Sequence, residues 1–138
     1  MLGISMTDPA RPISVLLVED SPGDVLMVRQ ALGGESIPIR VRVALDGEQA
    51  VQIMSGPDFR ADVVILDLNL PKICGFSILQ RTRPTVPVVV FSSSSNPLDR
   101  QRSLELGARE FIQKPSDLDE YRQVVSKIVR TWVVENRK

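Results

Sequence analysis

Hydrophobic positions along the chain fall into short, nearly continuous blocks separated by longer amphipathic stretches. Ile13 to Val18, Val63 to Leu66 and Val86 to Phe91 are runs of β-branched and other apolar residues, the pattern of strands buried on both faces. Ile39 to Ala44 instead alternates Ile39, Val41 and Val43 with Arg40 and Arg42, which predicts an edge strand with one wetter face. Glu110 to Gln113 is a brief last strand. The intervening stretches carry helix punctuation. Ser21-Pro22 supplies a cap and a first helical residue, Val25, Val28 and Leu32 recur at helical spacing, and Gly33-Gly34 stops the helix. Asp46 to Gln49 has the spacing of a capping box and leads into Ala50, Val51 and Met54, with Gly56-Pro57 as the stop. A short helix is predicted from Gly75 to Gln80, another from Asn96-Pro97 to Gly107, and a long one from Ser116 to about Glu135 with Tyr121, Val125, Ile128 and Trp132 on one face.

Strict alternation of strand and helix with short connections predicts an α/β architecture. Its sheet is parallel, with right-handed crossovers and helices on both faces. At this size the expected form is a flavodoxin-like (βα)5 doubly wound sheet in the order 2-1-3-4-5. The 138 residues leave room for one domain, expected over residues 13–138 behind a short tail at 1–12, and for no output domain beside it.

Composition narrows the chemistry. Apolar residues make up 43% and aromatics 4%, so the core is aliphatic. Lysine plus arginine and aspartate plus glutamate are 17 each, which removes the electrostatic case for nucleic acid or an anionic membrane. With no histidine and Cys74 as the sole cysteine, an internal disulfide, a zinc cluster and a histidine base are excluded, and any histidine chemistry must come from a partner. No run approaches the roughly 20 apolar residues of a membrane span, and the start lacks a signal-peptide block; a cytoplasmic protein is expected.

In such a fold, ligands bind beyond the carboxyl ends of the strands. The first strand delivers Glu19 and Asp20 there, the third Asp67, the fourth Ser92 and the fifth Lys114. Three crowded carboxylates would force a proton onto one of them unless a cation compensated. The donors are hard oxygens, which favours magnesium, held by Asp20, Asp67 and the backbone carbonyl of Asn69, with Glu19 acting through water. A carboxylate beside magnesium can attack a phosphoryl group and become an acyl phosphate. Asp67, at the centre, is the expected nucleophile; magnesium, the Lys114 ammonium and the Ser92 hydroxyl would then share the charge developing on the phosphoryl oxygens.

These residues lie in VLLVEDS (15–21), VVILDLNLPKICG (63–75), VVVFSSS (88–94) and EFIQKP (110–115), and together they resemble the receiver domains of two-component response regulators. The resemblance covers nearly the whole chain. It implies that Asp67 is the phosphoacceptor, that Lys114-Pro115 is a cis bond, and that Ser92 and Phe111 form a switch in which Ser92 moves toward the phosphoryl group and Phe111 turns inward. It implies a histidine kinase as donor, a downstream protein target met through the face from Pro97 to Trp132, and an influence of Asn69 and Ser94 on water attack. Within the family, SPGDVLMVRQAL, LDLNLPK and DLDEYRQVVSKIVRTWV look like the single-domain regulators serving bacterial phytochrome-type histidine kinases. Cys74 departs from the pattern by replacing an acidic residue, and the connection Arg81 to Thr85 is short.

Each feature also has a plainer reading. An aspartate at a strand end is most often a turn former, Glu19-Asp20 a solvated strand end, Lys114 a solvated charge, Phe111 plain core and Cys74 an ordinary thiol. Their joint order along the chain favours the sharper reading. The wide apolar surface of the last helix is either a broad core stripe or a homodimer seam near Val129 and Trp132. Two other functions compete: a phosphatase of the haloacid-dehalogenase type, which usually wants a second aspartate where Asn69 stands, and a scaffold that needs no phosphorylation.

Overall fold

A computed structural model describes residues 11–134. Five strands form one parallel sheet in the order β2-β1-β3-β4-β5, with β1 at Ile13–Val18, β2 at Ile39–Ala44, β3 at Val63–Leu66, β4 at Val88–Ser92 and β5 at Glu110–Gln113. Helices α1 (Pro22–Gly33), α2 (Gly47–Ser55), α3 (Gly75–Thr82), α4 (Pro97–Glu105) and α5 (Leu118–Val129) alternate with them. The expected doubly wound fold is the observed one. β2 lies at an edge, and its residues alternate between half-buried and exposed until Ala44, as the Ile, Val and Arg alternation requires.

Strand alternation divides the core into two layers. Val15, Leu17, Val63, Ile65, Val89 and Phe91 face α1 and α5, where Val28, Leu32, Tyr121, Val125 and Ile128 meet them. Leu16, Val18, Val64, Leu66, Val88 and Val90 face the other way, against Ala50, Met54, Ile78, Leu79 and Phe111. The reversal of winding beside β1 leaves a crevice at the carboxyl ends of β1 and β3.

Caps place the helix starts. Ser21 accepts from the Asp24 N–H at 3.3 Å, Asp46 from Gln49 at 2.8 Å, Asn96 from Leu98 at 2.9 Å and Asp117 from Glu120 at 2.9 Å. The return bond of the expected box falls one residue early, with Gln49 Oε1 accepting from the Leu45 N–H at 3.0 Å and not from that of the cap, Asp46.

Several expectations need correction. No peptide bond among the described residues is cis, so Lys114-Pro115 is trans, the form an X–Pro bond prefers unless its surroundings compel otherwise. Helix α3 runs to Thr82, two residues past the expected end, because the Thr82 hydroxyl donates to the Ile78 carbonyl at 2.7 Å and Arg83 turns left-handed (φ 42). β4 begins at Val88 and not at Val86; Pro87 has no N–H to give, although its carbonyl accepts from Val64. The last α-helix starts at Leu118 behind the Asp117 cap and passes at Arg130–Val134 into a π-helical turn; its expected end near Glu135 lies outside the described residues. Of the expected tail, Arg11 and Pro12 are described, and Arg11 pairs with Asp62 at 3.2 Å; residues 1–10 lie outside the described residues.

The candidate dimer seam is also accounted for within one chain. Val129 is only 1% exposed and belongs to the α1–α5 core layer. Trp132 packs against the same layer and donates its indole N–H to Glu110 Oε1 at 3.0 Å. The broad stripe arises because α5 covers both the sheet and the flank of α1.

Candidate functional site

Three strand ends build the crevice. β1 runs straight into Glu19 and Asp20, whose backbone leaves the sheet as α1 begins; Glu19 is 3% exposed, while Asp20 faces solvent. β3 delivers Asp67, itself buried, with its backbone N–H still donating to the Val18 carbonyl at 3.0 Å. One carboxylate oxygen from each of Glu19, Asp20 and Asp67 lies within 4.8 Å of the others. β5 delivers Lys114, whose backbone N–H donates to the Ser92 carbonyl at 2.7 Å and so fixes the side chain's root beside β4. Its ammonium stands 2.7 Å from Glu19 Oε1 and 3.6 Å from Asp67 Oδ2. Glu19, Asp20, Asp67 and Lys114, the residues the sequence points to, therefore share one hollow.

The loop after β3 is shaped by close packing. Asn69 is exposed, and its backbone N–H donates to Asp67 Oδ1 at 3.3 Å. Gly75 brings α3 back against this loop, its N–H bonding the Leu68 carbonyl at 3.0 Å. A Cβ there would lie 2.8 Å from Leu68 Cα and 3.0 Å from the Asp67 carbonyl oxygen. Gly75→Ala should accordingly lower stability by about 1–3 kcal/mol, the usual effect of forcing extra atoms into a packed site, and weaken divalent-cation binding by displacing the Asp67–Asn69 loop. Thermal denaturation with and without magnesium checks this, and an alanine variant with unaltered Tm would contradict the packing argument. Cys74 precedes that glycine as the N-cap of α3, with an exposed thiol 3.6 Å from the Ser77 hydroxyl; the Ser77 backbone N–H draws the thiol below its ordinary range.

Ser92 and Phe111 lie on the neighbouring strands. Ser92 is fully buried at the end of β4, and its hydroxyl oxygen accepts from the Ser94 N–H at 3.3 Å. Phe111 is already inside the core, in the layer beneath α2 to α4. The Ser94 hydroxyl is committed to Asp99 Oδ2 at 2.6 Å and to the Asn96 N–H, at the start of α4.

Sequence reasoning passed over two members of the site. Asp24, in the first turn of α1, places Oδ1 3.5 Å from the Lys114 ammonium, and the Tyr121 hydroxyl of α5 donates to that same oxygen at 2.7 Å. The acidic residue three positions after a serine cap was the available signal for Asp24. Tyr121 gave none beyond its place on an apolar face.

The electrostatics follow from burial. Desolvation pushes the Glu19 carboxyl up to about 7, and the Lys114 hydrogen bond only partly offsets it; the neighbouring Asp67 charge adds to the rise. For Lys114, desolvation works against the charged form but is outweighed by Glu19, Asp67 and Asp24, so the ammonium is held above its usual range. Asp24 behaves in the mirror sense: desolvation raises it, yet the Tyr121 hydrogen bond and Lys114 together keep it below the ordinary carboxylate range. Three carboxylates thus meet one ammonium, and Asp20 adds a fourth negative group to the same cluster of hard oxygens, an excess of negative charge that suits a divalent cation.

Fold and site together define a doubly wound α/β domain with an acidic, cation-binding pocket and an opposed lysine at its carboxyl edge. Residues 15–126 match the family model of the response regulator receiver domain, and the chain belongs to that family and hence to two-component signalling. It is 42% identical over 106 residues to protein-glutamate methylesterase/protein-glutamine glutaminase 1 of Myxococcus xanthus, covering 75% of this chain and 30% of that protein. It is 36% identical over 114 residues to the transcriptional regulatory protein TrcR of Mycobacterium tuberculosis, covering 79% of this chain and 42% of that one. The chain therefore spans less than half the length of these curated relatives. Among solved structures, the phosphorylated cyanobacterial phytochrome response regulator RcpA superposes with a TM-score of 0.81 at 31% identity, over 91% of this chain and 96% of RcpA. The Mn(2+)-bound response regulator Rcp1 gives 0.79 at 30% identity, over 88% and 95%.

Proposed function

We propose that Asp67 accepts a phosphoryl group from the phosphohistidine of a histidine kinase and that the resulting acyl phosphate changes the contacts this domain makes with a downstream protein. The observation that carries this reading is the placement of the Lys114 ammonium 3.6 Å from Asp67 Oδ2, at a cluster of three carboxylates whose oxygens lie within 4.8 Å. In the transfer, an Asp67 oxygen forms the new bond to phosphorus as the bond from phosphorus to the histidine nitrogen breaks, and the imidazole leaves with the bonding pair. Asp20, Asp67 and the Asn69 carbonyl would hold magnesium, with Glu19 reached through water, and the ion would neutralise charge on the phosphoryl oxygens. Lys114 donates to a second phosphoryl oxygen, and the buried Ser92 hydroxyl, one strand away, is the donor for a third. Ser92 then serves as the moving part of the switch, while Phe111, expected to turn inward, is already buried here and contributes by its packing behind the strand of Ser92. The chain supplies orientation for its own phosphorylation and for later hydrolysis, not turnover of a separate substrate.

Similarity to RcpA and Rcp1 extends the proposal to a kinase of the phytochrome type, acting in the cytoplasm. Asn69 disfavours the phosphatase reading, since a second acid two residues after the nucleophile is wanted there and here the position offers only a backbone N–H to Asp67. Treatment with a small phosphodonor in magnesium separates the readings. A stable, hydroxylamine-sensitive label supports the receiver, rapid turnover of varied phosphate esters supports the phosphatase, and no label supports the scaffold.

The raised Glu19 carboxyl gives a pH signature. Its folded value of about 7 exceeds the ordinary value of 4.5, so the cation-free chain binds this proton more tightly when folded and loses stability as pH rises from 4.5 to about 7. A divalent cation favours the anion. Magnesium binding should therefore tighten as pH rises toward about 7, level off above it, and release a proton only on the acid side. Calorimetry in buffers of different ionisation enthalpy at about pH 6 and about pH 8 checks this; equal proton release at both would contradict it.

A further inference from the structure

The Lys114 ammonium meets three carboxylates, and they differ in what they can do once the pocket is filled. Glu19 and Asp67 belong to the acidic cluster and would turn toward a cation, whereas Asp24 sits outside it on α1. Asp24 is held from two sides: its backbone N–H bonds the Ser21 cap, and its Oδ1 accepts from the Tyr121 hydroxyl at 2.7 Å. That same Oδ1 is the atom 3.5 Å from the ammonium. Tyr121 is 3% exposed and is locked on the ring side by an edge contact with Phe91, centroids 5.0 Å apart. Its hydroxyl therefore has little freedom to find another partner, and the oxygen it bonds is shared with the lysine.

We infer that Asp24 and Tyr121 are positioning residues for Lys114: one Asp24 oxygen, fixed by the Tyr121 hydroxyl, holds the ammonium on the α1 side of the pocket, and movement of the ammonium toward a phosphoryl group on Asp67 is felt by α5 through that shared oxygen. When the ammonium departs, the phenol loses its competitor for Oδ1 and that hydrogen bond strengthens. The consequence falls on a helix packed directly against α1. Trp132, the sole tryptophan of the chain, continues α5 through its π-helical turn and is tied to β5 at Glu110, so it reports on the far end of the same element.

This inference rests on the phosphoacceptor reading, and the test separates the two. The chain is saturated with magnesium and beryllofluoride, occupancy is read by fluorine NMR, and α5 is read by amide exchange over Leu118–Val129 and by Trp132 emission. The unmodified chain should show a change in both α5 readouts on saturation. Tyr121→Phe keeps the ring against Phe91, and Asp24→Asn keeps an acceptor for the phenol while removing the charge. At saturation each should lose at least half of the α5 response, and the double variant should lose no more than either single one, because the two act as one unit. An undiminished response in either single variant, or independent losses that add, would overturn the inference while leaving the phosphoacceptor reading intact. An absence of bound beryllofluoride in the unmodified chain would overturn both.

Discussion

Asp67→Asn will leave the chain folded and reduce labelling by a small phosphodonor to background. The amide has nearly the same shape as the carboxylate and keeps an oxygen for the Asn69 N–H, but its neutral, delocalised carbonyl cannot form an acyl phosphate. Neither Glu19 nor Asp20 can take its place: Glu19 is tied to Lys114 and to the Ser21 N–H, and Asp20 opens toward solvent. Removing one carboxylate from a crowded cluster also relieves repulsion. In the absence of divalent cations the variant should match or exceed the parent in stability, by on the order of 1 kcal/mol. Urea denaturation and acid-labile label, measured on the same preparation, check both halves. A variant that unfolds would assign Asp67 a structural role that its neighbours do not suggest.

Lys114→Ala has the larger effect on stability. The ammonium and Glu19 are 9% and 4% exposed in their side chains and 2.7 Å apart, so the pair is buried and its rupture leaves an uncompensated acid. Breaking such a pair typically costs about 3–5 kcal/mol. Here the lower end is expected, because Glu19 sits near 7 and can take up a proton in place of its partner. Magnesium should restore part of the loss by supplying the missing positive charge, so denaturation midpoints should rise more steeply with magnesium in the variant than in the parent. Labelling should persist weakly, since Asp67 and the cation site remain, while the α5 response to beryllofluoride should vanish. A variant as stable as the parent without magnesium would mean that Lys114 is not the charge that balances this pocket.

Much of the fold could be read from residue pattern alone, for identifiable reasons. β1 and β3 begin and end where the sequence suggests because apolar runs buried on both faces tolerate no shift in register, β2 and β5 because a one-residue slip would turn their buried face to solvent, and Ser21, Asp46 and Asn96 act as the caps their residue types predict. The carboxyl-edge cluster was legible because a parallel α/β topology dictates which strand ends are neighbours. Asp24 was not, since its reach into the pocket depends on the angle at which α1 leaves the sheet. Tyr121 was read as one more residue of an apolar face; only the contact between α1 and α5 shows that its hydroxyl serves the site. Val129, on the wide apolar stripe of the last helix, lies in the core layer that includes residues of α1 and the sheet. The ends of α3 and α5 depend on a threonine back-bond, a left-handed arginine and a π-helical turn, local compromises that no periodicity announces.

The central claim, that Asp67 is the group phosphorylated, is tested most directly by locating the modification. The chain is incubated with acetyl phosphate and magnesium, the acyl phosphate is trapped by borohydride reduction, and the altered residue is identified by peptide mass spectrometry. Conversion of Asp67 to homoserine, dependent on magnesium, is the predicted result. Reduction at Glu19, Asp20 or Asp24, or none at any carboxylate, would contradict the account.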